Sequence, residues 1–124
     1  MSKSPVSYTV AADLHCHTVA STHAYSTVTE LAQAAAERGL AAVGCTDHAP
    51  AMPDAPHLWH FHNLSSLPDF IAGVRVLRGA EANVLGPDGK LDLDEETLRD
   101  LELVVASMHR QTMPPSTVEE CTAA

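Results

Sequence analysis

Leu40-Ala41-Ala42-Val43-Gly44-Cys45-Thr46-Asp47-His48 is the stretch that decides the fold. From Leu40 to Cys45 it is apolar or small, with no alternation of polar residues. Its length and flanks suit a strand covered on both faces, as in a parallel sheet. The segment before it has helical signals. Thr27-Val28-Thr29-Glu30 has the form of a capping box. Val28, Leu31, Ala32, Ala35 and Ala36 recur at helical spacing. Arg38 lies in the last turn, and Gly39 stands where a helix C′ glycine belongs. The spacing predicts a helix over 28–38. Further back, Val10, Ala11, Ala12 and Leu14 read as a strand from about Thr9 to His15. Strand, helix and strand in this order form a βαβ unit.

After His48 the chain carries Pro50, Pro53 and Pro56 and reads as loop to Asn63. Ser66-Leu67-Pro68-Asp69 resembles a helix start, with a short helix to about Ala72, or one begun near Phe61 and kinked at Pro68. Val74 to Ala80 is a third strand leading to Glu81. Asn83-Val84-Leu85 and Lys90-Leu91 flank Gly86-Pro87-Asp88-Gly89 and suggest a small hairpin. Asp94 can cap a short helix to about Asp100. Leu103 to Ser107 is a fourth buried strand, running into His109. Pro114 and Pro115 break the chain, and Ser116 to Glu120 looks like a helix start that stops at Ala124. A helix begun and left unfinished reads as a chain cut inside a longer domain. Residues 1–8 read as a flexible lead, and 9–124 as one domain.

Length and composition narrow the function. The 124 residues are enough for one domain with a core. A formal charge of −9, with His neutral, makes the chain a poor general binder of nucleic-acid backbone. It suits a protein whose bound divalent cations cancel part of that charge. Three cysteines, Cys16, Cys45 and Cys121, without CxxC spacing argue for a reducing compartment and idle thiols. No signal-peptide core or membrane-length apolar run is present, so the expectation is a cytoplasmic protein.

Asp13-Leu14-His15-Cys16-His17, with His23 six residues on, carries the chemistry. On a regular strand, residues two apart share a face, so His15 and His17 project together, with Asp13 beside them and Cys16 facing away. Histidine is the commonest metal-ligand side chain. Each strand delivers such a residue at its carboxyl end: His15 and His17, then His48, then Glu81, then His109. In parallel α/β folds those ends form one rim, where sites lie. Asp13 and Asp47 are candidates to accept the other N–H of a ligand imidazole, or ordinary strand-end caps. His57, His60 and His62 lie in the loop over that rim, with Trp59, and either touch substrate or are solvated. Arg78 and Arg110 stand near the rim in sequence and read as exposed scaffold.

Asp13-Leu14-His15-Cys16-His17-Thr18, Ala20-Ser21-Thr22-His23-Ala24-Tyr25-Ser26, Thr46-Asp47-His48-Ala49-Pro50, Gly79-Ala80-Glu81-Ala82-Asn83 and Ala106-Ser107-Met108-His109 together resemble the amino-terminal half of a PHP (polymerase and histidinol phosphatase) domain, in particular the small stand-alone PHP phosphatases. The resemblance covers nearly all of residues 10–120. It implies the first four units of a distorted barrel of seven β/α units, with a trinuclear site, usually of zinc, sometimes manganese or iron. Carried over by motif, His15 and His17 hold one metal, Glu81 bridges it to a second that His109 also binds, and His23 and His48 hold the third. The implied activity is hydrolysis of a small phosphorylated substrate by a metal-bridging hydroxide. The alternatives are a non-catalytic metal-binding fragment, or a PHP-type nuclease or proofreading module.

The family pattern also takes a further His and an Asp-x-His pair from its second half, and the chain stops before them. Five His and one Glu across three metals give about two ligands each, where a stable zinc site takes three or four. The expectation is a chain that alone binds one or two metals weakly, best at His15, His17 and Glu81, with little hydrolytic activity. Half a barrel also leaves open strand edges, through which two copies can pair.

Overall fold

The computed structural model describes residues 6–113 and 117–123. Residues 1–5 of the expected lead, and Pro114 to Ser116, lie outside the described residues. Strand β1 (Ala12–Cys16) is followed by helix α1 (Val28–Glu37), strand β2 (Ala42–Cys45), a single-turn helix α2 (Trp59–Asn63) and a short 3₁₀ turn (Leu64–Ser66). Strand β3 (Phe70–Ile71), the long strand β4 (Val74–Asn83), helix α3 (Glu95–Asp100), strand β5 (Leu103–Ser107) and helix α4 (Val118–Ala123) complete the order. β1, β2, β4 and β5 run parallel. β2 pairs with the first half of β4, and β5 with its second half. The sheet curls into half of a β/α barrel.

The best-defined helix forms for the reasons visible in its sequence. The Thr27 side chain accepts from the Glu30 N–H, and the Glu30 carboxylate accepts from the Thr27 N–H at 2.7 Å. At the other end the Gly39 N–H donates to Ala36 O and the Leu40 N–H to Ala35 O. These are the two bonds of a Schellman cap, with Gly39 at φ +72°. Asp94 caps α3 by accepting from the Thr97 N–H at 2.8 Å.

Two apolar layers hold the helices to the outer side of the sheet. Ala32 and Ala35 of α1 pack on Val43, Cys45, Val74 and Val76, joined by Cys16. Phe61 and Leu64 pack on Ala80 and Ala82, joined by Leu98 and Val104. The other side is the inner wall, which carries Gly44 and Gly79. A Cβ on Gly44 would lie 2.6 Å from Leu14 O, and one on Gly79 2.6 Å from Leu103 O. The strands curl close enough that only glycine fits at these two points.

Several sequence expectations need correction. Only β2 and β4 are deeply buried; β1 and β5 are half-open edge strands. β1 starts at Ala12 rather than Thr9. The helical segment runs over 59–66 as α2 and the 3₁₀ turn, closer to the alternative start near Phe61, and no helix covers 67–72. Pro68 forces Leu67 into extended backbone, at ψ 141°, and this ends the 3₁₀ turn. Phe70 and Ile71 then form a hairpin with β4 through Ala72 and Gly73, both at positive φ. β4 runs three residues past the predicted Ala80. The predicted hairpin at 83–91 reduces to one bridge, Val84 to Leu91.

One irregularity matters for the site. Asp13 pairs with Val43, but Cys16 pairs with Cys45, so β1 spends three steps where β2 spends two. This is a β-bulge. It changes the side-chain phase within β1. Asp13 is in register with Val43 of the outer layer and interacts with Cys16, which packs there, and its carboxylate reaches the His15 backbone N–H.

Candidate metal centre

The carboxyl ends of the parallel strands converge on Glu81. Backbone pairing fixes this residue from both sides. Its N–H donates to Asp47 O at 3.0 Å, its carbonyl accepts from the Ala49 N–H at 2.9 Å, and Val105 is its register partner on β5. His48 forms an isolated parallel bridge with it. Glu81 is 4% exposed and His48 is 7% exposed.

Four imidazoles face this carboxylate. His15 Nε2 and His17 Nε2 each lie 3.2 Å from Glu81 Oε2, and 3.3 Å from one another. His48 Nδ1 is 3.1 Å from the same oxygen, and His109 Nε2 is 3.4 Å from Oε1. His23 completes the group through His17 and His48. The side chains fall into three overlapping triads, His15–His17–Glu81, His48–Glu81–His109 and His17–His23–His48, each with donor atoms within 4.8 Å of one another. All six residues singled out in the sequence therefore share one cluster.

The donor set fits a divalent cation. Zn–N and Zn–O distances near 2.0–2.1 Å in a tetrahedron put neighbouring donors about 3.3 Å apart. The His15, His17 and Glu81 donors have separations of 3.2, 3.2 and 3.3 Å. His17 Nδ1 and His48 Nδ1 are buried without a hydrogen-bond partner, although His48 Nδ1 stands within ion-pair distance of Glu81. Electrostatics keep this set ready to ligate. Burial, then the charge of His48, pushes the His17 pKa down against the pull of Glu81. Burial likewise pushes His48 down, with Glu81 opposing. For Glu81, burial raises the pKa, but hydrogen bonds from Ser107 and His15 and the charges of His48 and His15 outweigh it and hold the carboxyl ionised. Neutral imidazole and ionised carboxylate are the forms that bind metal.

The groups that orient these ligands are mostly ones the sequence did not flag. Asp54 Oδ2 lies 2.5 Å from His23 Nδ1. Asn83 Oδ1 lies 2.8 Å from His109 Nδ1. Asn83 carried one signal, because it shares a face with Glu81 two residues earlier on β4. Asp54 sits in a proline-rich loop without periodicity and carried none. Asp13 Oδ1 accepts from the His15 backbone N–H at 3.3 Å, the strand-end role. Asp47 is completely buried. It accepts from the Thr18 N–H and hydroxyl, both at 2.7 Å, and from the Ser21 hydroxyl at 2.8 Å. His60 Nε2 stands 3.2 Å away. Burial raises the Asp47 pKa, but the contacts from His60, Thr18 and Ser21 prevail and bring it to about 2. Asp47 therefore clamps the loop between His17 and His23, while Ser21 Oγ also accepts from the His48 N–H at 3.0 Å.

The remaining candidates stand apart from the cluster. His62 Nε2 is 3.2 Å from Thr97 Oγ1, and His57 Nδ1 accepts from the Trp59 N–H. Trp59, His60, His62 and Asn63 line a cavity of about 580 Å³. Arg78 is engaged by Glu102. Burial lifts the Cys45 thiol to about 12, and burial followed by Asp13 lifts Cys16 to about 11, so both are held in the thiol form. The side chain of Cys121 lies outside the description.

The sequence model of the family described as PHP domain matches residues 13–120. The chain belongs to the PHP domain family. A probable phosphatase of Clostridium novyi is 51% identical over 112 residues, which cover 90% of this chain and 46% of that protein. One from Acetivibrio thermocellus is 50% identical over 112 residues, again 90% of this chain and 46% of that protein. One from Photobacterium profundum is 55% identical over 97 residues, 78% of this chain and 39% of that protein. The PHP chain described here thus spans about half the length of the curated relatives it matches. Among its described residues, no helix is long and apolar enough to cross a membrane.

Proposed function

We propose that this chain carries metal-ligating residues of a PHP-family phosphoesterase acting on small phosphorylated substrates, with His15, His17, His23, His48, Glu81 and His109 holding divalent cations, zinc first. The observation that carries the reading is the meeting of four imidazoles within 3.1–3.4 Å of one buried carboxylate. The names of the relatives support the reaction class. Bound divalent cations supply positive charge for phosphoryl oxygens and bring the acidity of water into the neutral range. The chain's own groups do the rest. Glu81 stands between two triads. Asp54 occupies the Nδ1 side of His23. Asp47 keeps the loop bearing His17 and His23 against the strand that bears His48.

The same donor set favours a second reading for the isolated chain. Six donors over as many as three cations leave each short of the three or four protein ligands a stable site takes. Alone, the chain binds one or two cations and turns over slowly, and it acts as a metal-binding segment. Zinc, manganese and iron loading, followed by metal analysis and p-nitrophenyl phosphate hydrolysis with and without EDTA, tests both readings. Retained metal with EDTA-sensitive turnover supports the hydrolase. Retained metal without turnover supports the binding segment. No retained metal overturns both. Degradation of single-stranded DNA would move the assignment to a nuclease. Open edges at β1 and β5 offer self-pairing, read by sedimentation.

A further inference from the structure

The side chain of Asn83 is completely buried, and both ends of its amide are spoken for. Its Nδ2 lies 2.6 Å from Asp92 Oδ2 and 3.3 Å from Ala49 O. Its Oδ1 lies 2.8 Å from His109 Nδ1. A backbone carbonyl only accepts hydrogen bonds, and an ionised carboxylate only accepts. Asp92 is fixed in that accepting role by two further donors. The Asn83 N–H reaches its Oδ1 at 2.7 Å, and the Ala51 N–H its Oδ2 at 2.8 Å. The amide therefore has one polarity. Turned over, it would set its oxygen against Ala49 O and Asp92 and leave two acceptors facing an acceptor. With Oδ1 committed to His109, the ring must donate from Nδ1.

We infer that Asn83, its amide polarity set by Asp92 and Ala49 O, is a positioning residue that commits His109 to the Nδ1–H tautomer and so aims the Nε2 lone pair at the Glu81 cluster. In a neutral imidazole one nitrogen donates and the other accepts. Fixing the proton on Nδ1 leaves Nε2, 3.4 Å from Glu81 Oε1, as the unprotonated nitrogen. The other tautomer would place a proton where a cation is to sit. The same relay ties three pieces of the rim together. Asn83 ends β4, His109 follows β5, and Ala49 and Ala51 follow His48. Asp92 and Asn83 thus register the His109 loop against the His48 loop.

The inference rests on His109 being a metal ligand, but its test does not. The tautomer of His109 is read in the metal-free chain from long-range ¹H–¹⁵N correlations of ¹⁵N-labelled protein, assigned with His109→Gln. The expected result for the wild type is a proton on Nδ1, with Nε2 the nitrogen whose resonance moves when zinc is added. Asn83→Ala is expected to release the ring to a mixture containing Nε2–H, and to weaken zinc binding by about 10–100-fold, the loss typical of an orienting partner. A merely structural role would lower the melting temperature without moving the tautomer. A wild-type ring without a proton on Nδ1 overturns the inference, whether or not Asn83→Ala folds. So does a folded Asn83→Ala with an unaltered tautomer. If His109 is Nδ1–H but its resonances ignore added zinc, the tautomer inference stands and the metal reading of His109 fails.

Discussion

β4 carries two very different surroundings for a carboxylate along ten residues. Beside its first half, Glu102 meets Arg75 and bonds Arg78 Nε at 3.0 Å, two permanent cations at a half-exposed surface. In its second half, Glu81 is buried and faces four imidazoles, of which burial pushes His17 and His48 toward neutrality. Glu102 is neutralised by the chain itself. Glu81 is given donors that compete for a cation rather than supply one. A buried carboxylate without a permanent counter-charge is costly, so the second arrangement suits an external cation. The ends of one strand thus separate a structural ion pair from a candidate metal centre.

The substitution that tests this contrast hardest is Glu81→Gln. It removes the group shared by two triads, and zinc affinity by calorimetric titration should fall by more than about 100-fold, beyond the loss usual for an orienting partner. Unchanged affinity would remove Glu81 from the centre. The next largest effect comes from acid. The His17 and His48 pKa values lie below the ordinary imidazole value of 6.5. Protons therefore favour the unfolded chain as pH falls through that value, and metal-free stability should decline from about pH 6.5 downward. Zinc affinity should stay flat from pH 8 to about 6.5 and fall below it.

Asp47 is a third kind of carboxylate, neutralised by hydrogen bonds rather than by arginine or metal. Because its pKa of about 2 lies under the ordinary 3.8, its contribution is complete above about pH 4 and vanishes as pH falls through 2, and it amounts to about 2 kcal/mol. Asp47→Asn should lower the urea midpoint by a corresponding amount and loosen the loop holding His17 and His23, seen as faster amide exchange at Thr18. The smallest effect belongs to Glu102→Gln, since half-exposed ion pairs contribute little. Its urea midpoint should barely move, and its zinc titration should overlay that of the wild type.

Much of this arrangement is legible in the sequence. Thr27 and Glu30 announce α1, Asp94 announces α3, and the unalternating runs at 40–46 and 103–107 announce strands, although the second is less buried than its composition suggests. Five of the six candidate ligands can be read because they lie at the carboxyl ends of strands, and His23 because it follows His15 and His17 in the next loop. What escapes has local causes. The bulge in β1 leaves no mark in composition, so simple alternation puts Asp13 on the wrong face. Ala72 takes φ +52° without a glycine to signal it, which hides the hairpin at β3. Asp54, Asn83 and Asp92 act across 31, 26 and 9 residues of chain. No short-range pattern can show partners so far apart.

The backbone ladder around Glu81 has a consequence for how such a centre is loaded. Its main chain is bonded to Asp47 and Ala49 and in register with Val105 of β5, a mooring that requires no ion. Stripping the cation should leave the mooring in place, with circular dichroism unaltered after chelation, unlike small zinc domains that unravel when emptied. A scaffold held in this way would let the proposed cations exchange without unfolding, with availability in the surroundings selecting the occupant.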